Sequence, residues 1–117
     1  MNDDIVRIYH NNRCSKSRAA CHILAAAGLP TEVIDYLNNP PSREELVEVL
    51  ALLKMKPAEI VRRGEALFKE HYAGQTLTDD QWLDALLAHP ILIERPIVVR
   101  GGKAVIGRPP EKVLELL

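Results

Sequence analysis

Apolar positions along the chain fall into short runs of two different periods, and the switches between them mark out the elements. Residues 5–9, IVRIY, are brief, rich in β-branched side chains and closed by His10-Asn11-Asn12, the pattern of a buried strand running into a turn. Ala19, Ala20, Ile23, Leu24 and Ala27 then recur at helical spacing, with Gly28 and Pro30 as the stop. This predicts a helix that starts close to Cys14. Residues 31–37, TEVIDYL, alternate as a second strand. The stretch between the two strands is long enough for a crossover helix, so the three form a βαβ unit with parallel strands and a right-handed connection. That geometry puts Cys14 at the carboxyl end of the first strand, where open α/β sheets hold their ligands.

Asn38-Asn39-Pro40-Pro41 breaks the chain, and Ser42 with Glu45 then forms a capping-box pattern ahead of Leu46, Val47, Val49, Leu50 and Leu53. A short helical turn is expected over residues 58–63, stopping at Gly64, and Thr78 with Gln81 offers a second capping box before Trp82, Leu83, Leu86 and Leu87. Ile97-Val98-Val99-Arg100, Gly101-Gly102 and Lys103-Ala104-Val105-Ile106 give a hairpin signature. Pro109-Pro110 opens a final helix with Val113, Leu114 and Leu117 as its apolar stripe. The predicted fold class is therefore α/β. Its order is that of a thioredoxin-like fold: a βαβ half, a helical insertion and a ββα half around a central four-stranded mixed sheet. Residues 1–117 read as one domain, with no internal repeat or low-complexity linker.

Composition narrows the function classes. A chain of 117 residues, 47% hydrophobic and 26% charged, can bury enough surface to be stable without disulfides or a metal. A net charge of -1 lacks the basic excess of a nucleic-acid binder. No apolar run approaches the ~20 residues of a membrane span, and Met1-Asn2-Asp3-Asp4 is the reverse of a basic signal-peptide start. A soluble, cytoplasmic protein is expected, with neither nucleic acid nor membrane as partner. In that setting the two cysteines, Cys14 and Cys21, read as free thiols.

The thiols have different surroundings. Cys14 sits at a helix start among His10, Arg13, Lys16 and Arg18, and a helix N-terminus and nearby cations both lower a thiol pKa and make a nucleophile. Cys21 lies inside the helix beside Ala20 and Ile23, where apolar surroundings raise the pKa and leave the thiol inert. Seven helical residues span about 10 Å, too far for a disulfide between them. Ser17 stands three residues after Cys14, so there is no CxxC dithiol and the cycle needs a thiol from outside. His10, Cys14, Cys21 and His22 lack the paired short spacings of a structural metal site. His10 reads equally as a turn residue or as support for the thiolate.

His10-Asn11-Asn12-Arg13-Cys14-Ser15-Lys16-Ser17-Arg18 resembles the active-site loop of the glutathione- and glutaredoxin-linked arsenate reductases, the ArsC type. The likeness continues through Tyr36-Leu37, residues 40–46 (PPSREEL), residues 89–99 (HPILIERPIVV) and Gly107-Arg108-Pro109, nearly the whole chain in order. The resemblance implies a catalytic Cys14 supported by His10, with Arg62, Arg95 and Arg108 holding the substrate oxyanion. Arginine suits that task because it stays charged and offers forked donors to a tetrahedral oxyanion. Arg63 is the neighbour that could exchange roles with Arg62; Ile60-Val61 before the arginine favours Arg62. The resemblance further implies arsenate as substrate, glutathione as co-substrate, glutaredoxin as partner, no bound cofactor or metal, a monomer, a role in arsenical resistance, and a cis Arg95–Pro96 bond. Ser15-Lys16 departs from the small neutral pair typical of the family.

Two other functions fit parts of the pattern. A glutaredoxin-like thiol oxidoreductase needs only Cys14. An Spx-like regulator that binds RNA polymerase shares the fold, although many such proteins carry the CxxC that is absent here.

Overall fold

The computed structural model describes residues 5–11 and 13–116; Asn12 of the predicted first turn and Leu117 of the predicted final stripe lie outside them. The chain divides into two compact units, one taking in the sequence up to Asn39 and again from Arg95, the other Pro40–Glu94.

The first unit holds strands β1 (Val6–His10), β2 (Thr31–Asp35), β3 (Ile97–Arg100) and β4 (Lys103–Ile106), helix α1 (Ser15–Ala26) and a 3₁₀ segment, Pro110–Leu116. The sheet order is β2-β1-β3-β4. β1 runs parallel to β2, with Val6 opposite Thr31 and His10 opposite Asp35. β3 lies antiparallel to β1, with Ile8 opposite Val98, and β4 antiparallel to β3. This is the thioredoxin-like mixed sheet that the element order predicts. Period-two alternation sends Val6, Ile8 and Val98 to one face, where they meet Ala20 and Leu24 of α1 and Val113 and Leu116 of the 3₁₀ segment. Burying each of the larger aliphatics contributes about 2 kcal/mol. Gly28 ends α1 at φ 74 and Gly101 turns the hairpin at φ 57, both left-handed positions that glycine adopts without strain.

The last element corrects the sequence reading. A period of 3.6 selects Val113, Leu114 and Leu117, whereas the segment is a 3₁₀ helix in which Val113 and Leu116 are buried and Leu114 is 50% exposed. Side chains three apart eclipse in the tighter helix, so Leu116 joins Val113 on the core. Arg100 fastens this segment to β3 by donating from Nη1 to the Leu116 carbonyl at 2.8 Å.

The second unit carries α2 (Arg43–Leu53), α3 (Ala66–His71) and α4 (Asp79–Ala88). Ser42 caps α2 by accepting from the Glu45 N–H at 3.1 Å. Thr78 and Gln81 close both halves of the predicted capping box, at 3.2 and 2.9 Å. The turn expected over residues 58–63 is shorter, a 3₁₀ turn at Pro57–Ile60, because Val61 leaves helical geometry to form an antiparallel bridge with Ile93. The Arg62 N–H donates to the Leu92 carbonyl at 2.7 Å and the Glu94 N–H to that of Ile60 at 2.8 Å. Sequence patterning did not single out α3 by itself.

Candidate active site

Cys14 is the residue that caps α1, with extended backbone (φ -95, ψ 119). Its N–H donates to the Asn11 carbonyl at 3.0 Å, and its carbonyl accepts from the Arg18 N–H at 3.1 Å, closing the first helical turn. Asn11 organises the approach: Oδ1 accepts from the Arg13 N–H at 2.9 Å, and its own N–H donates to Ser17 Oγ at 3.5 Å. The position usually taken by the oxygen of an N-cap side chain is thus occupied by a sulfur. No acidic residue stands in the first turn of α1, so the positive end of the helix has no carboxylate complement of its own. Arg13, Lys16 and Arg18 are exposed around it.

The Cys14 thiol is 9% exposed. Burial pushes its pKa up, yet the N–H dipoles of Ser17 and Lys16, the Ser17 hydroxyl and the Arg95 guanidinium outweigh that and bring it from 9.0 down to about 7. Neither N–H closes a formal cap hydrogen bond; their effect is that of helix-start dipoles aimed at an anion. At neutral pH a substantial share of the thiol is therefore thiolate.

Two guanidiniums meet this sulfur within the same unit. Arg108 Nη2 lies 3.5 Å from Sγ, and Arg108 Nε donates to the Arg95 carbonyl at 2.6 Å. Arg95, half-buried, donates to Cys14 and to the Tyr36 hydroxyl; burial lowers its pKa, and Tyr36 and Cys14 more than restore it, holding it above the ordinary guanidinium value. The strands explain the placement: Arg95 leads into β3 and Arg108 follows β4, so antiparallel pairing brings both to one end of the hairpin. Gly107 makes the approach possible. Its N–H donates to the Pro96 carbonyl at 2.8 Å, and a Cβ there would stand 2.8 Å from Pro96 Cγ. The Arg95–Pro96 bond is cis, as the resemblance implies, and so is Arg108–Pro109.

The other predicted residues have their own surroundings. His10 ends β1, is 7% exposed, and has its Nδ1 3.7 Å from Cys21 Sγ. Cys21 packs partly against the core, and burial raises its thiol pKa, in keeping with the inert role read from sequence. Arg62 belongs to the second unit, where Nε meets Glu65 at 3.3 Å and Nη1 meets Glu94 at 2.8 Å. Arg63 is engaged differently, with its guanidinium over the rings of Phe68 and Trp82 at 5.2 and 5.7 Å. No group of three or more His, Cys, Asp or Glu side chains among the described residues is arranged to hold a metal. No helix among them is long and apolar enough to cross a membrane.

Two residues of the site escape the sequence reading. In sequence Ser17 stands out only as the absence of a second cysteine, although the third residue of a helix is where a polar side chain can reach back to the cap. Tyr36 carried no local signal beyond its place at the end of a strand. Together these groups define a reactive single thiol, cradled by a helix start and two arginines, on a thioredoxin-like scaffold.

The comparisons agree with that class. The model of the ArsC family matches residues 9–116, and the chain belongs to this family. It is 46% identical over 114 residues to the uncharacterized protein YfgD of Escherichia coli strain K12, covering 96% of each. It is 41% identical to an arsenate reductase of Neisseria meningitidis, covering 96% of this chain and 97% of the relative. The solved arsenate reductase from Vibrio cholerae is 46% identical with a TM-score of 0.92, over 97% of this chain and 98% of that one.

Proposed function

We propose that the protein is an oxidoreductase that reduces arsenate to arsenite, with Cys14 as nucleophile. The observation that carries this reading is the meeting of Arg95 and Arg108 on a sulfur whose pKa is brought to about 7. A thiolate with only helix dipoles beside it would serve disulfide exchange equally well. Two arginines add the charge and forked donors that a tetrahedral dianion needs next to the attacking atom.

In the proposed cycle the Cys14 thiolate attacks arsenic, an As–S bond forms, and an arsenate oxygen leaves as water after protonation. Arg95 and Arg108 neutralise the remaining oxygens and orient arsenic toward the sulfur. On the resemblance, His10 supports the thiolate; Arg62, held by Glu65 and Glu94 in the second unit, is carried over as an oxyanion residue from the family pattern alone. Glutathione then adds its thiol to arsenic with loss of a second water. The thiolate of glutaredoxin attacks the glutathione sulfur, the As–S bond to glutathione breaks, and its electron pair reduces arsenic from the pentavalent to the trivalent state. The products are a glutathione–glutaredoxin mixed disulfide and, after hydrolysis of the Cys14–As bond, arsenite. The protein acts as a cytoplasmic monomer, with glutathione as co-substrate and no resident cofactor.

The deciding experiment is arsenate reduction coupled to glutathione and glutaredoxin, run on wild type and Cys14→Ser. Turnover by wild type with complete loss in the variant is expected. Turnover that survives in Cys14→Ser ends the proposal.

A further inference from the structure

Tyr36 follows β2 directly, and none of its surface is exposed. Because His10 pairs with Asp35 in parallel strands, the chain leaves β1 and β2 at the same end of the sheet. β3, antiparallel to β1, enters at that end behind Arg95 and Pro96. Three segments converge there, bringing the Cys14 loop, Tyr36 and Arg95 together, and the Arg95 guanidinium donates to both the Tyr36 hydroxyl and Cys14.

We infer that Tyr36 is a positioning residue for the active site: its phenol oxygen holds the Arg95 guanidinium so that it faces the Cys14 sulfur and an oxyanion placed against it. The chemistry of the partner matters. Arginine is a long side chain with many rotamers, and a donor that must meet a developing anion is useful only if something rigid fixes it. A tyrosine enclosed on every side is rigid. Its neutral oxygen accepts hydrogen bonds without cancelling the guanidinium charge, as a carboxylate would. Arg62 shows the contrast, with Glu65 and Glu94 both against it. Arg95 keeps its full charge for the thiolate.

The oxyanion half of this inference rests on the proposed function; the thiol half does not. The test is Tyr36→Phe in the full chain, which removes the hydroxyl and keeps the ring, read first by titration of Cys14 thiolate absorbance. The Cys14 pKa is expected to rise by about half a unit to one unit, the size of one lost orienting contact. The KM for arsenate is expected to rise roughly 3- to 10-fold, while kcat above the thiol pKa stays within about 2-fold. In an Arg95→Ala background, Tyr36→Phe should move neither quantity further, because Tyr36 acts through Arg95. An unchanged thiol pKa in folded Tyr36→Phe, or an equal shift persisting without Arg95, overturns the inference. If Tyr36→Phe does not fold, Arg95→Lys tests the same bridge: an ammonium cannot span both partners, so a wild-type thiol pKa in that variant refutes it. Should wild type fail to reduce arsenate, the proposed function falls and the thiol titration still decides the role of Tyr36.

Discussion

Arg108 Nε donates to the main-chain carbonyl of Arg95 at 2.6 Å, so the second guanidinium of the site is fastened to the backbone that carries the first. The two cations form one unit of fixed spacing across the ends of β3 and β4, and Arg108 reaches the sulfur from that anchor.

Arg108→Ala removes both the anchor and a charged donor. A charged hydrogen bond contributes about 1.5–3 kcal/mol, so kcat/KM for arsenate should fall roughly 10- to 100-fold. Arg108→Lys keeps the charge and loses the fork, and should recover only part of the loss. Steady-state kinetics on the three proteins measures this. Arg95→Ala should fall further and also raise the Cys14 pKa. If disulfide exchange by Arg95→Ala is unimpaired while arsenate reduction is lost, the arginine serves the oxyanion; parallel losses point to a glutaredoxin-like oxidoreductase instead.

Alkylation should separate the two thiols. With Cys14 at about 7 and Cys21 raised by burial, iodoacetamide at neutral pH should label Cys14 first, with a rate that falls as pH drops below about 7. Mass spectrometry of the labelled peptides gives the order, and preferential labelling of Cys21 contradicts it.

Ser17→Ala deletes the hydroxyl that helps hold the thiolate and accepts from Asn11. The Cys14 pKa should rise by about half a unit to one unit, measured by the same titration, and the Asn11 N–H left without its acceptor should lower thermal stability as well.

Stability should depend on pH through Cys14. Its pKa is about 7 in the folded chain against an ordinary 9.0. Between those values the unfolded chain binds the extra proton, so folding stability rises with pH. The contribution is complete above about 9 and lost as pH falls through 7. A shift of that size corresponds to roughly 2–3 kcal/mol. Denaturant melts of wild type and Cys14→Ser at pH 6 and 9 should diverge by about that amount at the higher pH; a constant difference contradicts the shift.

What the sequence displayed was whatever depends on near neighbours. The βαβ unit, the hairpin about Gly101-Gly102, the Thr78–Gln81 box and the placement of Cys14 at a helix start all follow from period and turn chemistry within a few residues. The contacts that complete the site join residues far apart in the chain. Arg108 meets Cys14 across 94 positions, and Tyr36 meets Arg95 only because parallel and antiparallel pairing bring three strand ends together. Arg95 and Arg108 stand out only through the family resemblance, since an arginine before a proline has no local mark of an anion ligand. The final segment differs for a subtler reason: Val113 and Leu116 satisfy a period of three, which an α-helical period of 3.6 does not pick out.

Gly107 sets a boundary for anyone recasting this site. With Pro96 Cγ 2.8 Å from where a Cβ would stand, the main chain beneath Arg95 and Arg108 has no room for remodelling by ordinary side chains. A saturation library at that position should return glycine almost alone. Selectivity for a larger or differently shaped oxyanion has to be sought at the tips of the side chains, or in Arg13, Ser15 and Lys16, which are exposed around the start of α1.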